Sequence, residues 1–251
     1  IKKIIALEEG NTRTLTEALA EDELPEEYEL SDATVDLGAL ALADVAAAQE
    51  EAQAIVNGAV NASELTLEAS YSLSVTAFTA ETVTSDVAGL ADAQAAAEAD
   101  FFTEAEQAIV AGAANAEDVT VSVPYALEDT LANLEGAAEG VVEGAESYTL
   151  TETEFTAEAV ESSVAELADA QADAEANFLQ QAIVAGAANA EDVTVTVPYS
   201  LNDDADLLLA ADADVLAGAD VVTVNNETLT REQFDALNAL ENVNLNLEGV
   251  E

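Results

Sequence analysis

The chain has 251 residues, with 53 Asp+Glu against 4 Lys+Arg for a formal net charge of −49, and it has neither Cys nor His. These figures exclude thiolate and imidazole catalysis, disulfides and zinc centres with Cys or His ligands. They also argue against nucleic acid or an anionic membrane as partner, because both need basic residues that the chain lacks.

Half of the residues are hydrophobic, too many for a disordered acidic tail. Trp and Met are absent and aromatics make up 4%, so Ala, Leu and Val must fill the core. Such small side chains pack only where backbones approach closely, which favours thin layers and tight repeats. No run nears the roughly 20 apolar residues of a membrane span. The chain opens on Ile1 with no signal-peptide pattern, as expected of a processed product or a piece of a longer protein.

In chain order, residues 1–7 (IKKIIAL) are apolar, and Lys2, Lys3 and Arg13 are three of the four basic residues. Residues 1–27 therefore read as an N-terminal segment with a docking strand and a short helix. Ile1, Lys2, Lys3, Ile4, Ile5 and Arg13 are its candidate assembly residues; the same segment also reads as the first strand of the chain's own sheet. Residues 33–57, rich in Ala and Leu, predict a helix with Ser31 or Asp32 as N-cap and Gly58 just past its end. Leu65, Leu67, Ala69, Tyr71 and Leu73 alternate with polar residues and predict a strand. So do Val119, Val121, Val123, Tyr125 and Leu127, and likewise Val193, Val195, Val197, Tyr199 and Leu201. Pro124 and Pro198 lack the ladder donor and predict a bend or an edge within two of these runs.

Between strands the period becomes helical. Val160, Val164, Leu167, Gln171, Ala174 and Phe178 form one stripe, and Gly112, Gly186 and Gly218 mark helix ends. Thr230 to Gln233 predicts a capping box opening a helix with Phe234, Leu237 and Leu240 inward. Val243, Leu245 and Leu247 alternate with Asn242, Asn244 and Asn246 in a last strand.

Repetition dominates this order. Residues 108–125 and 182–199 differ only at Ser122 against Thr196, and residues 77–99 match 154–176 at 17 of 23 positions. All five tyrosines occur as Tyr-x-Leu, at Tyr28, Tyr71, Tyr125, Tyr148 and Tyr199. The array divides into units 28–70, 71–124, 125–147, 148–198 and 199–251. Strands alternating with Ala-rich helices point to an α/β fold, a repeat-built, solenoid-like stack of parallel strands. The alternative is an ordinary α/β or α+β domain with an internal duplication.

The Tyr-x-Leu segments YALEDTLANL (125–134) and 199–240 resemble repeats of long secreted bacterial surface proteins of the adhesin-like or surface-layer-like kind. Asp129-Thr130 keeps that family's Asp-Thr element, Asp203-Asp204 and Asp32-Ala33 keep the Asp alone, and the copies at Tyr71 and Tyr148 depart further. The resemblance is best over residues 199–250. It implies an extracellular or cell-surface structural protein, a segment of a surface layer, fibre or adhesin stalk, and carries over no catalytic residue.

No enzyme is expected, although 53 carboxylates leave a glycoside hydrolase as a remote alternative. Divalent cations are better partners. Residues 202–214 group Asn202, Asp203, Asp204, Asp206, Asp212 and Asp214, candidate Ca2+ ligands in a calcium-dependent adhesive module, although Asp203 or Asp204 could equally cap a helix. No cofactor is required by this reading. Asn61-Ala-Ser63 and Asn226-Glu-Thr228 are glycosylation sequons. The remaining expected partner is a second copy of the chain, with the basic N-terminus of one molecule docking on the acidic C-terminal end of the next.

Overall fold

A computed structural model of the chain describes residues 11–225, 228–240 and 243–247. It is a mixed α/β fold of parallel strands and helices. The first elements are β1 (Thr12–Arg13), α1 (Leu15–Leu19), β2 (Glu29–Leu30), β3 (Thr34–Leu40), α2 (Leu42–Gly58) and β4 (Glu68–Leu73). The first half of the duplication supplies β5 (Ala77–Thr79), β6 (Val83–Ser85), α3 (Leu90–Asp100), α4 (Glu104–Gly112), β7 (Thr120–Ser122), β8 (Tyr125–Asp129), α5 (Leu131–Glu135) and β9 (Ser147–Leu150). The second half repeats much of this as β10 (Glu154–Thr156), β11 (Val160–Ser162), α6 (Leu167–Leu179), α7 (Ala182–Gly186), β12 (Thr194–Thr196) and β13 (Tyr199–Asp203). The chain continues through α8 (Ala205–Ala210), α9 (Ala213–Gly218), β14 (Val222–Val224), α10 (Arg231–Asn238) and β15 (Leu245–Asn246). No helix among the described residues is long and apolar enough to cross a membrane.

Two compact units divide the chain, residues 1–83 with 91–124, and residues 84–90 with 125–251. In the first unit β1 pairs with β2, β3 with β4 and β5 with β7, each in parallel. Its core gathers Leu15, Val35, Ala52 and Val56 in one cluster and Val45, Tyr71, Leu73 and Ala113 in another. In the second unit β8 runs parallel to β9, β10 to β12, and β13 lies between β11 and β14, with β15 parallel to β14. Leu127, Leu134, Leu150 and Val184 fill one of its clusters, and Leu201, Leu208, Leu216 and Leu237 the other. Among the described residues, every buried apolar side chain apart from Tyr28 and Tyr71 is Leu, Val or Ala, in keeping with the composition.

Pro124 and Pro198 act as the missing ladder donor dictates. The runs around Pro124 and Pro198 split into β7 and β8, and into β12 and β13. The proline carbonyls remain usable, accepting from the Val83 and Val160 amides at 3.0 Å in each case. At each break a helix glutamine bonds the carbonyl just before the proline. Gln94 reaches Val123 and Gln171 reaches Val197, both at 3.0 Å. The capping box at Thr230 and Gln233 forms and opens α10, and Thr14 with Glu17 and Thr103 with Glu106 make two more.

Three expectations are corrected. The helix expected over 33–57 begins only at Leu42, because Thr34 to Leu40 is a strand with buried Val35. Gly38, at φ 74, shifts its register against β4 between Asp36 and Ala39. That backbone belongs to glycine and has no place inside a helix. The stripe beginning at Val160 is helical only from Leu167, because Val160 pairs with Tyr199 in β11. Phe234 points outward at 47% exposure, whereas Leu237 is fully buried and Leu240 half-buried.

Candidate functional site

The five tyrosines share one geometry. Each Tyr-x-Leu strand is followed along the chain by a helix or turn that ends in a Gly-Ala pair. The tyrosine ring lies against that glycine and its hydroxyl donates to a carbonyl one turn earlier. Tyr28 donates to Ile55 and Tyr71 to Ile109, both at 2.6 Å; Tyr125 donates to Val141 at 2.8 Å and Tyr199 to Val215 at 2.9 Å. Tyr148 makes a longer bond to Ala182 at 3.4 Å. A Cβ on Gly58, Gly112, Gly144 or Gly218 would lie 2.5–2.7 Å from the tyrosine oxygen, and Gly186 is closer still. These glycines are therefore seats for a hydroxyl. The backbone completes each joint, since the amide two residues beyond the glycine donates to the tyrosine carbonyl, at 2.8–2.9 Å in all five copies. Burial raises the hydroxyl pKa of Tyr28 and Tyr71, and at Tyr148 burial is helped by the nearby Glu143 carboxylate.

Beyond the glycine the joints divide into two kinds. Three read Gly-Ala-x-Asn, and there the asparagine amide faces the leucine of the Tyr-x-Leu strand and bonds both its backbone groups. Asn115 accepts from the Leu73 amide at 2.8 Å and donates to the Leu73 carbonyl at 3.0 Å. Asn61 does the same to Leu30 and Asn189 to Leu150, within 2.8–3.1 Å. One side chain thus satisfies the donor and acceptor that a neighbouring strand would otherwise take. The other two joints, after Gly144 and Gly218, lack the asparagine and continue into β9 and β14, which pair directly with the tyrosine strands β8 and β13. Asn115→Ala should cost about 2 kcal/mol, since it strands two backbone groups beside buried Leu73. A chemical denaturation curve reads that loss, and an unchanged midpoint would remove the clip from the account. Because Asn61 is a clip, a glycan at its sequon would cost both bonds to Leu30. Asn226 of the second sequon lies outside the described residues.

Four residues after the tyrosine, three copies carry aspartate. Asp129 is 6% exposed and accepts from the Val87 amide at 2.9 Å, the Thr130 amide at 2.8 Å and Asn133 Nδ2 at 2.7 Å. Burial works to raise its pKa, but the bonds from Asn133, Val87 and Thr130 outweigh it and hold the carboxyl below its usual range. Asp203 repeats the arrangement with the Val164 and Asp204 amides, and Asp32 accepts from the Leu15 amide at the start of α1.

These bonds decide where the candidate calcium ligands stand. Asp203 is buried and faces backbone amides. Asp204 sits at the N-cap of α8, Asp206 accepts from Gln233 at 2.7 Å, and Asp212 caps α9 by accepting from the Asp214 amide at 3.0 Å. Asn202 donates to Glu161 at 3.0 Å. Among the described residues no three acidic side chains stand together as a cation site, so residues adjacent in sequence are not gathered around one point. Of the assembly residues, Ile1, Lys2, Lys3, Ile4 and Ile5 lie outside the described residues. Arg13 pairs within the chain, its backbone to Leu30 in β2 and its guanidinium to Glu21.

Sequence reasoning found the tyrosines and the aspartates but missed the glycine seats and the asparagine clips. The signal was present, because each tyrosine is followed along the chain by a Gly-Ala, and three of those pairs carry Asn two positions further on. No protein family, no curated protein and no solved structure gives a significant match to this chain.

Proposed function

We propose that this chain is a structural segment of an extracellular, self-assembling bacterial surface protein, part of a layer, a fibre or an adhesin stalk. Its strands would be rungs of a parallel α/β solenoid wound with the usual right-handed crossover. One observation carries the reading. The recurring tyrosines, the three clip asparagines and the buried aspartates bond backbone groups of other segments of the chain. A repeat whose shared polar groups are engaged in joining one turn to the next has a mechanical task rather than a reaction to perform. The step from strand to strand supports the winding, since β3 pairs with β4, β8 with β9, and β13 with β14, each across a helical return.

Assembly would run head to tail. The basic, apolar residues 1–7 of one copy would meet the acidic C-terminal end of another, with divalent or monovalent cations screening the net charge of −49. Electron microscopy of the purified chain in saline with and without Ca2+ tests this. Filaments or sheets are expected, and deleting residues 1–10 should abolish them. A monodisperse monomer at every concentration would contradict the reading, and assembly only with stoichiometric Ca2+ would turn it toward a calcium-dependent adhesive module.

A further inference from the structure

Both halves of the duplication open a cleft at the same place. The first has a volume of about 500 Å3 and is lined by Thr79, Glu81, Val83, Ala97, Asp100 and Phe101 among others. The second, about 440 Å3, is lined by the equivalent Thr156, Glu158, Val160, Ala174, Asn177 and Phe178. Both volumes lie in the range of small-ligand sites. Their origin is the proline break. The ladder to the partner strand stops at the Ala80 amide, which bonds the Ser122 carbonyl, and resumes at the Val83 amide, which bonds the Pro124 carbonyl, so Glu81 and Thr82 lie outside the ladder. The end of α3 stands across the gap and supplies Ala97, Asp100 and then Phe101. Proline in the second copy produces the same gap at Glu158 and Ala159, with α6 across it.

Each cleft joins a rigid aromatic wall to carboxylates. Phe101 is held by Phe78 at 5.9 Å and Phe102 at 4.8 Å between ring centroids, and Phe178 by Phe155 at 5.3 Å. Alanine methyls extend the apolar wall. Glu81 and Asp100 are exposed in the first cleft and Glu158 in the second, where Asn177 replaces the second acid. Neither lining contains a basic residue. Phosphates and carboxylates are repelled from such a site, and a neutral sugar would engage the ring but not the charge. A cation with a hydrocarbon body uses every wall, its chain against phenylalanine and alanine and its nitrogen near the ring face and the glutamate.

We propose that the two clefts are paired sites for a primary alkylammonium group, either a free amine or the side chain of a lysine on a partner protein. The first cleft binds more tightly, because it presents Asp100 where the second presents Asn177.

An NMR titration of the full chain in 150 mM NaCl tests this with three probes: hexylammonium, Nα-acetyl-lysine methylamide and the neutral isostere hexanol. Saturable shifts are expected at the amides around Glu81 and Glu158, with hexanol about tenfold weaker or worse. Glu81→Gln and Glu158→Gln should each weaken their own cleft by about tenfold and leave the other unchanged. Both glutamates are exposed, so neither substitution threatens the fold. Binding of the lysine probe alongside hexylammonium assigns the clefts to a protein partner, and binding of hexylammonium alone assigns them to a small amine. Shifts that never saturate and survive both substitutions, as counterion condensation would give, overturn the proposal. So does hexanol binding as well as the amine.

Discussion

Gly112→Ala should destabilise the chain by about 2 kcal/mol, and removing the Tyr71 hydroxyl from the same molecule should restore most of the loss. On its own, alanine at the last position of a helix is an improvement of up to about 1 kcal/mol over glycine. Here its Cβ would lie 2.7 Å from the Tyr71 oxygen, inside contact distance, and would drive the ring from its seat. Tyr71→Phe alone gives up one hydrogen bond to Ile109, at a cost of about 1 kcal/mol. In the double variant the methyl occupies the space that the hydroxyl vacates. Denaturation of the four proteins therefore yields a coupling of about 2–3 kcal/mol. Additive losses would mean that the glycine is needed for some other reason than the tyrosine.

The buried carboxylate is the second large effect. Asp129→Asn should cost about 2–4 kcal/mol at neutral pH, because three donors converge on two carboxylate oxygens and the new amide would turn a fourth donor toward them. The pH dependence has a definite sign. The folded chain holds this carboxyl below its ordinary pKa of 3.8, so its contribution is complete above that value and is lost as the pH falls through the folded pKa. Wild type and variant should therefore differ most at neutral pH and converge on acidification. Comparing the two removes the opposite trend from the other carboxylates, whose protonation relieves the self-repulsion of a chain with net charge −49. A stability difference that stays constant down to pH 3 would show that Asp129 acts through packing alone.

Much of the fold is legible in the residues because it rests on local chemistry. Period-two valines, a proline without a donor and a Thr-x-x-Gln box each force one local outcome, and β7, β12 and α10 follow. Ala-rich sequence is less decisive, since alanine suits a helix and fits a thin sheet almost equally well. The Ala-rich run that follows draws residues 34–40 into a helix reading, while Gly38, with its positive φ, breaks the register of a strand. The joints were hidden for a different reason. Tyr71 finds its seat 41 residues later at Gly112, and Leu73 finds its clip 42 residues later at Asn115, so the partners reveal themselves only once the chain is folded. The aspartates of residues 203–214 lie close together in the sequence yet bond separate partners. Their spacing suggests one shared cation, whereas Asp203 turns inward to Val164 and Asp212 outward to its own helix.

If the chain is a stack of rungs, each stabilised chiefly by its neighbours, then removing the last unit should leave the earlier ones standing. Amide hydrogen exchange on residues 1–198 measures this directly. The account predicts that the amides of Leu30, Leu73 and Leu150, bonded to Asn61, Asn115 and Asn189, keep the protection they have in the full chain, with losses confined to the turns that packed on residues 199–251. Loss of protection throughout residues 28–150 would show a single cooperative domain and contradict the account.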